Sequence, residues 1–285
     1  MVSPPKRLLA VDLDGTLLDP NGHPHARDVK AVRAALAEGV CVSIVTGRLY
    51  SGSRAAAEAL GLQSAVGCVD GSHVVRASDH STLLHHGVTG APIGALRRAL
   101  ARSGAATFVF AQDAIGHDTS GAPYVRYMST WSSDVRVAGD VFEHELWDAA
   151  EGVTAAVALG EHDSLAEAVA ELERDAPGAM FVALFPLRRG PHGGMWAIMV
   201  RAAGGTKGTA VRWIAEHEGV AIGDTVCVGD WLNDLPMFEV AGRSFAMGQA
   251  PDEVKSKATD VLDETAEQGG GVASAIARAF GIRVD

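Results

Sequence analysis

Residues Leu8 to Asp19 read LLAVDLDGTLLD, a short apolar run that leads directly into Asp12 and Asp14. Alternate residues of a strand share a face, so the two carboxylates are expected on the same side of the chain. At a separation of roughly 4 Å they repel each other by about 4 kcal/mol if the effective dielectric is near 20. Something must therefore offset this repulsion if the pair stands at the end of a buried strand.

The segments that follow alternate between strand and helix. A helix is predicted over residues 28–38, and the strand VCVSIV after it ends at the Thr46-Gly47 turn. A third apolar strand, SAVGCV, leads into Asp70. This alternation is typical of a parallel sheet with crossover helices.

The pattern changes after Gly71. The stretches HVVRAS and TLLHHGV predict a hairpin, and the spacing of apolar residues predicts a helix over 91–103. Another helix is predicted over 164–174, opened by a capping box formed by Ser164 and Glu167. Further short strands surround this helix, so the middle region is predicted to be α+β.

The strand–helix alternation returns near the sequence GGTKGT. We therefore predict an α/β protein with a Rossmann-like parallel-sheet core formed by residues 1–84 and 200–285. Residues 85–199 are predicted to form an inserted α+β domain.

Composition limits the class of protein and of partner. Among 285 residues 47% are hydrophobic, the formal net charge is −11 and the pI is near 5.4, which argues against a nucleic-acid partner. No apolar run approaches the ~20 residues of a membrane helix, so no membrane partner is expected. Cys41, Cys68 and Cys227 lack CxxC spacing and lie in strand-like segments, which favours buried, reduced thiols and a cytoplasmic location.

Four short polar segments stand where an apolar strand ends or a helix begins. Ligands of parallel sheets bind at the carboxyl ends of the strands, so these segments are expected to meet in one crevice. Together they supply carboxylates, hydroxyls, glycine turns and a lysine, which suits a divalent cation beside a phosphate. The segments are DLDGT (Asp12 to Thr16), VTGR (Val45 to Arg48), GTKGT (Gly205 to Thr209) and GDWLND (Gly229 to Asp234).

In order and in placement, these four segments resemble the four motifs of the haloacid dehalogenase (HAD) superfamily. The resemblance covers the core, roughly residues 5–84 and 200–285. More than a hundred residues separate Thr46 from Lys207, which leaves room for an insertion at the second position. That arrangement resembles the type II cap subgroup, and the αβ pattern of the insert is similar to its Cof-like sugar-phosphatase branch.

The resemblance implies a mechanism that begins at the first motif. Asp12 would attack phosphorus and form an aspartyl-phosphate, while Asp14 would act as general acid and then as general base. Mg²⁺ would be held by the Asp12 side chain, the Asp14 backbone carbonyl and Asp230. Asp234 has two implied roles, to support a metal-bound water or to orient Lys207.

The resemblance also implies how the phosphate is held. Thr46 and the Gly47 amide would grip phosphate oxygens, Lys207 would neutralise their charge, and Asn233 would donate a further hydrogen bond. Arg48 is equally well suited to face the inserted domain or to pair with a carboxylate.

These inferences predict an Mg²⁺-dependent phosphatase that hydrolyses a small phosphorylated metabolite, with sugar phosphates the leading class, as a monomer or small homo-oligomer. Asp14 disfavours the founding dehalogenases, which lack an acid there, and the absence of lysine between Lys30 and Lys207 disfavours the phosphonate-cleaving branch. Two alternatives stay open. One is a phosphotransferase or mutase that uses the same phospho-aspartate, and the other is a catalytically silent ligand-binding relative.

Three features depart from the motifs or lie outside them. Trp231 follows the metal-binding aspartate, and we expect it to pack against a neighbouring loop rather than to line a pocket. Asp70 stands where relatives often have an asparagine. The loop RRGPHGG carries Arg188, Arg189 and His192, which would either reach a substrate or form a solvated hairpin.

Overall fold

The computed structural model describes residues 6–187 and 194–284, so the loop residues Arg188, Arg189 and His192 lie outside it. The strands of the described residues are, in chain order, β1 (Leu8–Val11), β2 (Cys41–Ile44), β3 (Ala65–Cys68), β4 (His73–Arg76), β5 (Thr82–His85), β6 (Ala106–Ala111), β7 (Ala114–His117), β8 (Val135–Val137), β9 (Ala155–Gly160), β10 (Met180–Pro186), β11 (Trp196–Ala202), β12 (Thr225–Gly229), β13 (Arg243–Ala246) and β14 (Asp260–Val261). The α-helices are α1 (Ala26–Ala37), α2 (Tyr50–Leu60), α3 (Ala91–Ser103), α4 (Val125–Met128), α5 (His162–Asp175), α6 (Lys207–Glu218), α7 (Leu235–Val240), α8 (Asp252–Lys255) and α9 (Gly271–Phe280).

A five-stranded sheet has the order β14-β13-β12-β1-β2, and every pairing in it is parallel. All four residues of β1 are buried, as the apolar run requires of a strand that is covered on both faces. The register sets Val11 of β1 beside Val228 of β12. Asp12 and Asp230, each the first residue after its strand, therefore leave the sheet at the same edge. This confirms the predicted α/β fold with a parallel-sheet core.

A second sheet, β3-β4-β5, contains the predicted hairpin. A parallel bridge between Val45 and Gly67 joins β3 to the end of β2. A 3₁₀ turn, Val69–Gly71, follows β3 and returns the chain toward β4.

The third sheet has the order β10-β11-β9-β6-β7-β8 and is antiparallel except at the pair β7 and β8. Apolar residues of α3 and α5, among them Leu96 and Leu165, pack with Val109 and Ile198 of this sheet in one hydrophobic core. The predicted capping box is wrong. Helix α5 begins two residues earlier, so the Ser164 hydroxyl falls inside its first turn and donates to the Glu161 carbonyl at 3.1 Å.

The chain divides into two compact units. The first consists of Met1–Gly47, Ser53–Leu84 and Thr206–Asp285, and the second of Arg48–Gly52 and His85–Gly205. Residues Arg48–Gly52 belong to the second unit because their backbone amides form hydrogen bonds with other residues of that unit. The Leu49 amide donates to the Trp131 carbonyl at 2.9 Å, and the Ser51 amide donates to Asp113 Oδ1 at 2.9 Å.

Within the first unit, the buried Asp28 of α1 binds the start of α9. Its Oδ2 accepts from the Gly270 amide at 2.8 Å and its Oδ1 from the Ala273 amide at 2.7 Å. These amides lie at the start of α9, where backbone donors have no partner within the helix. Asp28 therefore caps α9 from another helix.

Among the described residues, no helix has both the length and the apolar character that crossing a bilayer requires.

Candidate active site

Three carboxylates meet at the carboxyl edge of the parallel sheet. Asp12 follows β1, Asp230 follows β12, and Asp234 ends the short 3₁₀ turn Leu232–Asp234. One carboxylate oxygen from each lies within 4.8 Å of the others, and all three residues are buried. Such a cluster of hard oxygen donors suits a divalent cation.

Lys207 places a positive charge beside two of these carboxylates. Its Nζ donates to Asp12 Oδ1 and to Asp234 Oδ1, both at 2.6 Å, and the side chain is only 1% exposed. Lys207 is the first residue of α6, which the Thr206 and Thr209 hydroxyls open with a reciprocal capping box. The cap fixes the start of the helix, and with it the point from which the lysine reaches the carboxylates.

The electrostatics of the cluster show an excess of negative charge. Burial raises the pKa of Asp12 well above its ordinary value; Lys207 opposes the rise, whereas Asp234 and Asp230 add to it. Burial and the charge of Asp234 raise the pKa of Asp230 to about 6. Burial alone would lower the pKa of Lys207, but Asp12 and Asp234 raise it above its ordinary value. A single ammonium therefore offsets only part of the charge of three carboxylates, and the residues present fit a bound divalent cation.

Asp234 makes hydrogen bonds through both oxygens. Oδ1 accepts from Lys207, while Oδ2 accepts from the amides of Asp230 at 2.8 Å and Trp231 at 2.9 Å. A Cβ on Gly229 would lie 2.5 Å from Asp234 Cγ, so glycine is needed for this close approach. Asp234 thus holds both the lysine and the loop that carries Asp230.

Further polar groups surround Asp230. The Thr16 hydroxyl donates to its Oδ1 at 3.4 Å, and Gln249 Nε2 lies 3.3 Å from its Oδ2 and 2.5 Å from the Gly15 carbonyl oxygen. Gly15 has φ of 81°, and a Cβ there would overlap the Asp230 carboxylate. The sequence motifs missed Gln249. The signal that could have found it is its position just after β13, the neighbour of β12 in the sheet.

Two of the predicted phosphate-binding residues, Thr46 and Asn233, both form hydrogen bonds with Asp70. Thr46 is buried; its backbone amide donates to the Gly67 carbonyl at 2.8 Å, and its backbone carbonyl accepts from the Asp70 amide at 3.0 Å. Asn233 Nδ2 donates to Asp70 Oδ1 at 3.0 Å. The same Asp70 oxygen lies 3.6 Å from the position that a Cβ of Gly47 would take.

Three other residues singled out by the sequence lie in more exposed positions or in the second unit. The Asp14 side chain is exposed, in contrast to the buried Asp12. Arg48 belongs to the second unit, where its Nη1 donates to the Gly52 carbonyl at 3.2 Å. The expectation that Trp231 packs against a loop is wrong, since its side chain is 56% exposed, and the adjoining Leu232 is 43% exposed.

The three cysteines differ in burial. Cys41 is only half-buried, whereas Cys68 and Cys227 are fully buried as predicted.

A family model described as haloacid dehalogenase-like hydrolase matches residues 9–276 of this chain. The protein belongs to this family. The match includes all four motifs and the residues between them. The ordered strand-end placement that the sequence indicated is therefore that of a HAD-like hydrolase.

Among curated proteins, this HAD-like hydrolase is 41% identical over 83 residues to a phosphoglycolate phosphatase of Halobacterium salinarum. That match covers 29% of this chain and 36% of the relative. The chain thus spans about a third of the length of the curated relatives that it matches first.

Solved structures of HAD-like hydrolases share the whole fold. One from Bacteroides thetaiotaomicron superposes with a TM-score of 0.81 at 22% identity, over 96% of this chain and 100% of that one. A HAD subclass IIB sugar phosphatase superposes with a TM-score of 0.73 at 20% identity, over 97% of this chain and 100% of that one. At these identities the likeness shows the fold.

Proposed function

We propose that this HAD-like hydrolase is an Mg²⁺-dependent phosphatase that hydrolyses a small phosphorylated metabolite through an aspartyl-phosphate. The observation that carries the proposal is the cluster in which Lys207 bridges Asp12 and Asp234 beside Asp230. Phosphoryl transfer needs this combination, because charge on the phosphoryl oxygens must be neutralised while a nucleophile is held in place.

The carboxylates of Asp12 and Asp230, with the backbone carbonyl of Asp14, are the groups we assign to Mg²⁺. When bound, the ion would neutralise charge on the phosphoryl oxygens and on the facing carboxylates. Both oxygens of Asp234 are already used in hydrogen bonds, which favours orientation of Lys207 over support of a metal-bound water as its role.

Asp12 is the proposed nucleophile. One of its oxygens forms a bond to phosphorus as the bond from phosphorus to the leaving alcohol oxygen breaks, and Asp14 gives that oxygen a proton. In the second half, Asp14 takes a proton from water. The water oxygen bonds to phosphorus, the bond to Asp12 breaks, and inorganic phosphate leaves. The exposed position of Asp14 suits a group that must exchange protons with substrate and water.

Thr46, the Gly47 amide, Lys207 and Asn233 are the groups we assign to the phosphate oxygens. We further propose that the second unit, which includes Arg48, acts as the cap that sets substrate specificity. Sugar phosphates are the leading substrate class, since a HAD subclass IIB sugar phosphatase has the same fold.

The test is a screen of phosphorylated sugars, sugar acids and nucleotides for released inorganic phosphate in the presence of Mg²⁺. We expect turnover of at least one small phosphate ester, with phosphate appearing in the absence of any acceptor. If phosphate appears only when an acceptor sugar is withheld, and added acceptor captures most of it, the protein is a phosphotransferase. If no member of the panel is turned over, the proposal is contradicted.

A further inference from the structure

The turn after β3 has an unusual backbone. Val69, Asp70 and Gly71 have φ of 48°, 50° and 95°, so two residues with a Cβ adopt the left-handed conformation in succession. Val69 is β-branched and buried, which makes this conformation costly. Residues held in such conformations are concentrated at functional sites, where the surrounding structure enforces them.

Contacts within the first unit hold the turn. The Asp70 amide donates to the Thr46 carbonyl at 3.0 Å, and the Ser72 amide donates to the Val69 carbonyl at 3.1 Å. On the other side, a Cβ on Gly71 would overlap the Thr206 carbonyl, so the turn lies tightly against the residue that caps α6. The left-handed backbone thus fixes where the Asp70 carboxylate points.

The carboxylate of Asp70 lies among the proposed phosphate-binding groups. Its Oδ1 accepts from Asn233 Nδ2 at 3.0 Å and faces Gly47, and the residue is only 9% exposed. Asp70 and Asn233 are 163 residues apart in sequence, yet one hydrogen bond joins the loops that follow β3 and β12. An amide side chain has two N–H groups, so this bond leaves Asn233 one donor.

We propose that Asp70 is a positioning residue whose carboxylate fixes the Asn233 amide so that its second N–H is directed to the phosphoryl group. The inference rests on the proposed function, because it assigns a partner to a residue of that site. It adds Asp70 to the site as an acceptor that acts through Asn233, with no contact to the reacting atoms.

The decisive variant is Asp70→Gly, because glycine adopts φ of 50° without strain while the acceptor is removed. We expect KM for the best phosphate ester to rise about fivefold to tenfold, the size of one lost hydrogen bond, with kcat changed less than about twofold. Asp70→Asn keeps an acceptor oxygen and tolerates the left-handed backbone, so it should recover most of the loss.

A double-mutant cycle separates positioning from a purely structural role. In an Asn233→Ala background, Asp70→Gly should change kcat/KM by less than about twofold, because the group to be positioned is gone. His80→Gly is the matched control. It relaxes another left-handed residue of the same unit, at an exposed turn, and should leave the kinetics unchanged.

Binding of inorganic phosphate with Mg²⁺, measured by calorimetry, repeats the cycle without turnover. We expect Asp70→Gly to weaken binding about fivefold to tenfold in the native background and less than about twofold in the Asn233→Ala background. Equal losses in both backgrounds, or no loss in either, would overturn the inference. If the native protein binds phosphate but turns over no ester, the phosphatase proposal is contradicted. The calorimetric cycle then still decides whether Asp70 positions Asn233.

Discussion

The Lys207 ammonium lies 2.6 Å from Oδ1 of Asp12, although 195 residues separate them in the sequence. A buried lysine is stable only when its charge is paired, and a buried aspartate close to other carboxylates needs a cation nearby. Each residue therefore stabilises the buried charge of the other. The pair is held between β1, which delivers Asp12, and the capped start of α6, which delivers Lys207.

Replacement of this lysine is expected to damage both stability and activity. Lys207→Met leaves Asp12 and Asp234 without their ion pair, and breaking a buried pair costs about 3 kcal/mol of the free energy of unfolding. Phosphatase activity should fall by at least about a hundredfold, since charge on the phosphoryl group is no longer offset. Urea unfolding and phosphate release measure the two effects. Lys257→Met, on an exposed side chain, is the control and should change neither by much.

Asp28 offers a test of the fold that does not depend on the active site. Asp28→Ala removes the acceptor for the Gly270 and Ala273 amides and should lower the free energy of unfolding by about 2 kcal/mol or more. Asp263→Ala is the matched control, because the Asp263 side chain is fully exposed. Similar losses in the two variants would show that the cap contributes little.

The stability contributed by Asp28 should also depend on pH in a defined direction. Burial raises the pKa of Asp28 above its ordinary value, and the Ala273 and Gly270 amides only partly oppose this. The folded protein therefore holds this proton more readily than the unfolded chain does. The contribution is fully present below the ordinary pKa near 4 and declines as pH rises through the raised pKa of the folded state. The difference in unfolding free energy between the native protein and Asp28→Asn should therefore shrink as pH rises above about 4.

Mg²⁺ should act on the stability of the protein as well as on turnover. EDTA is expected to stop hydrolysis and Mg²⁺ to restore it. Because an ion that binds only the folded state stabilises it, Mg²⁺ should also raise the Tm of the native protein. Asp230→Asn should abolish that rise, since it removes one of the assigned ligands. Full activity in EDTA, or an equal rise in Tm in the variant, would contradict the metal assignment.

Trp231 should tolerate replacement without loss of stability. Its side chain is 56% exposed, so Trp231→Ser is expected to change the free energy of unfolding by less than about 0.5 kcal/mol. Trp147 is 1% exposed and its indole N–H donates to the Val141 carbonyl, so Trp147→Ala should cost about 3 kcal/mol or more. Chemical unfolding of the two variants side by side distinguishes them.

Much of the fold was predictable from local pattern. Apolar runs of four or five residues identified the parallel strands, and the rule that ligands bind at the carboxyl ends of such strands placed Asp12 and Asp230 at one edge. Gly219 ends α6 with φ of 69°, the left-handed conformation that glycine adopts readily after a helix. The boundary of α5 was harder, because Ser164 satisfies the capping pattern although the helix begins at His162.

What the sequence could not supply depended on tertiary contacts. Gln249 belongs to no motif and reaches Asp230 only because β13 pairs with β12. The left-handed backbone of Asp70 is enforced by residues that are distant in sequence, so no local propensity indicates that its carboxylate meets Asn233. The exposure of Trp231 is likewise set by what the fold places around it.

Asp12 is the residue that we assign to the covalent bond with phosphorus. The experiment that decides this assignment compares Mg²⁺-dependent hydrolysis of a generic aryl phosphate by the native protein and by Asp12→Asn, with circular dichroism to confirm that the variant is folded. We predict steady turnover by the native protein and an activity of the variant below about a thousandth of it, as expected when a nucleophile is removed. A folded Asp12→Asn variant that retains more than that fraction would contradict the assignment.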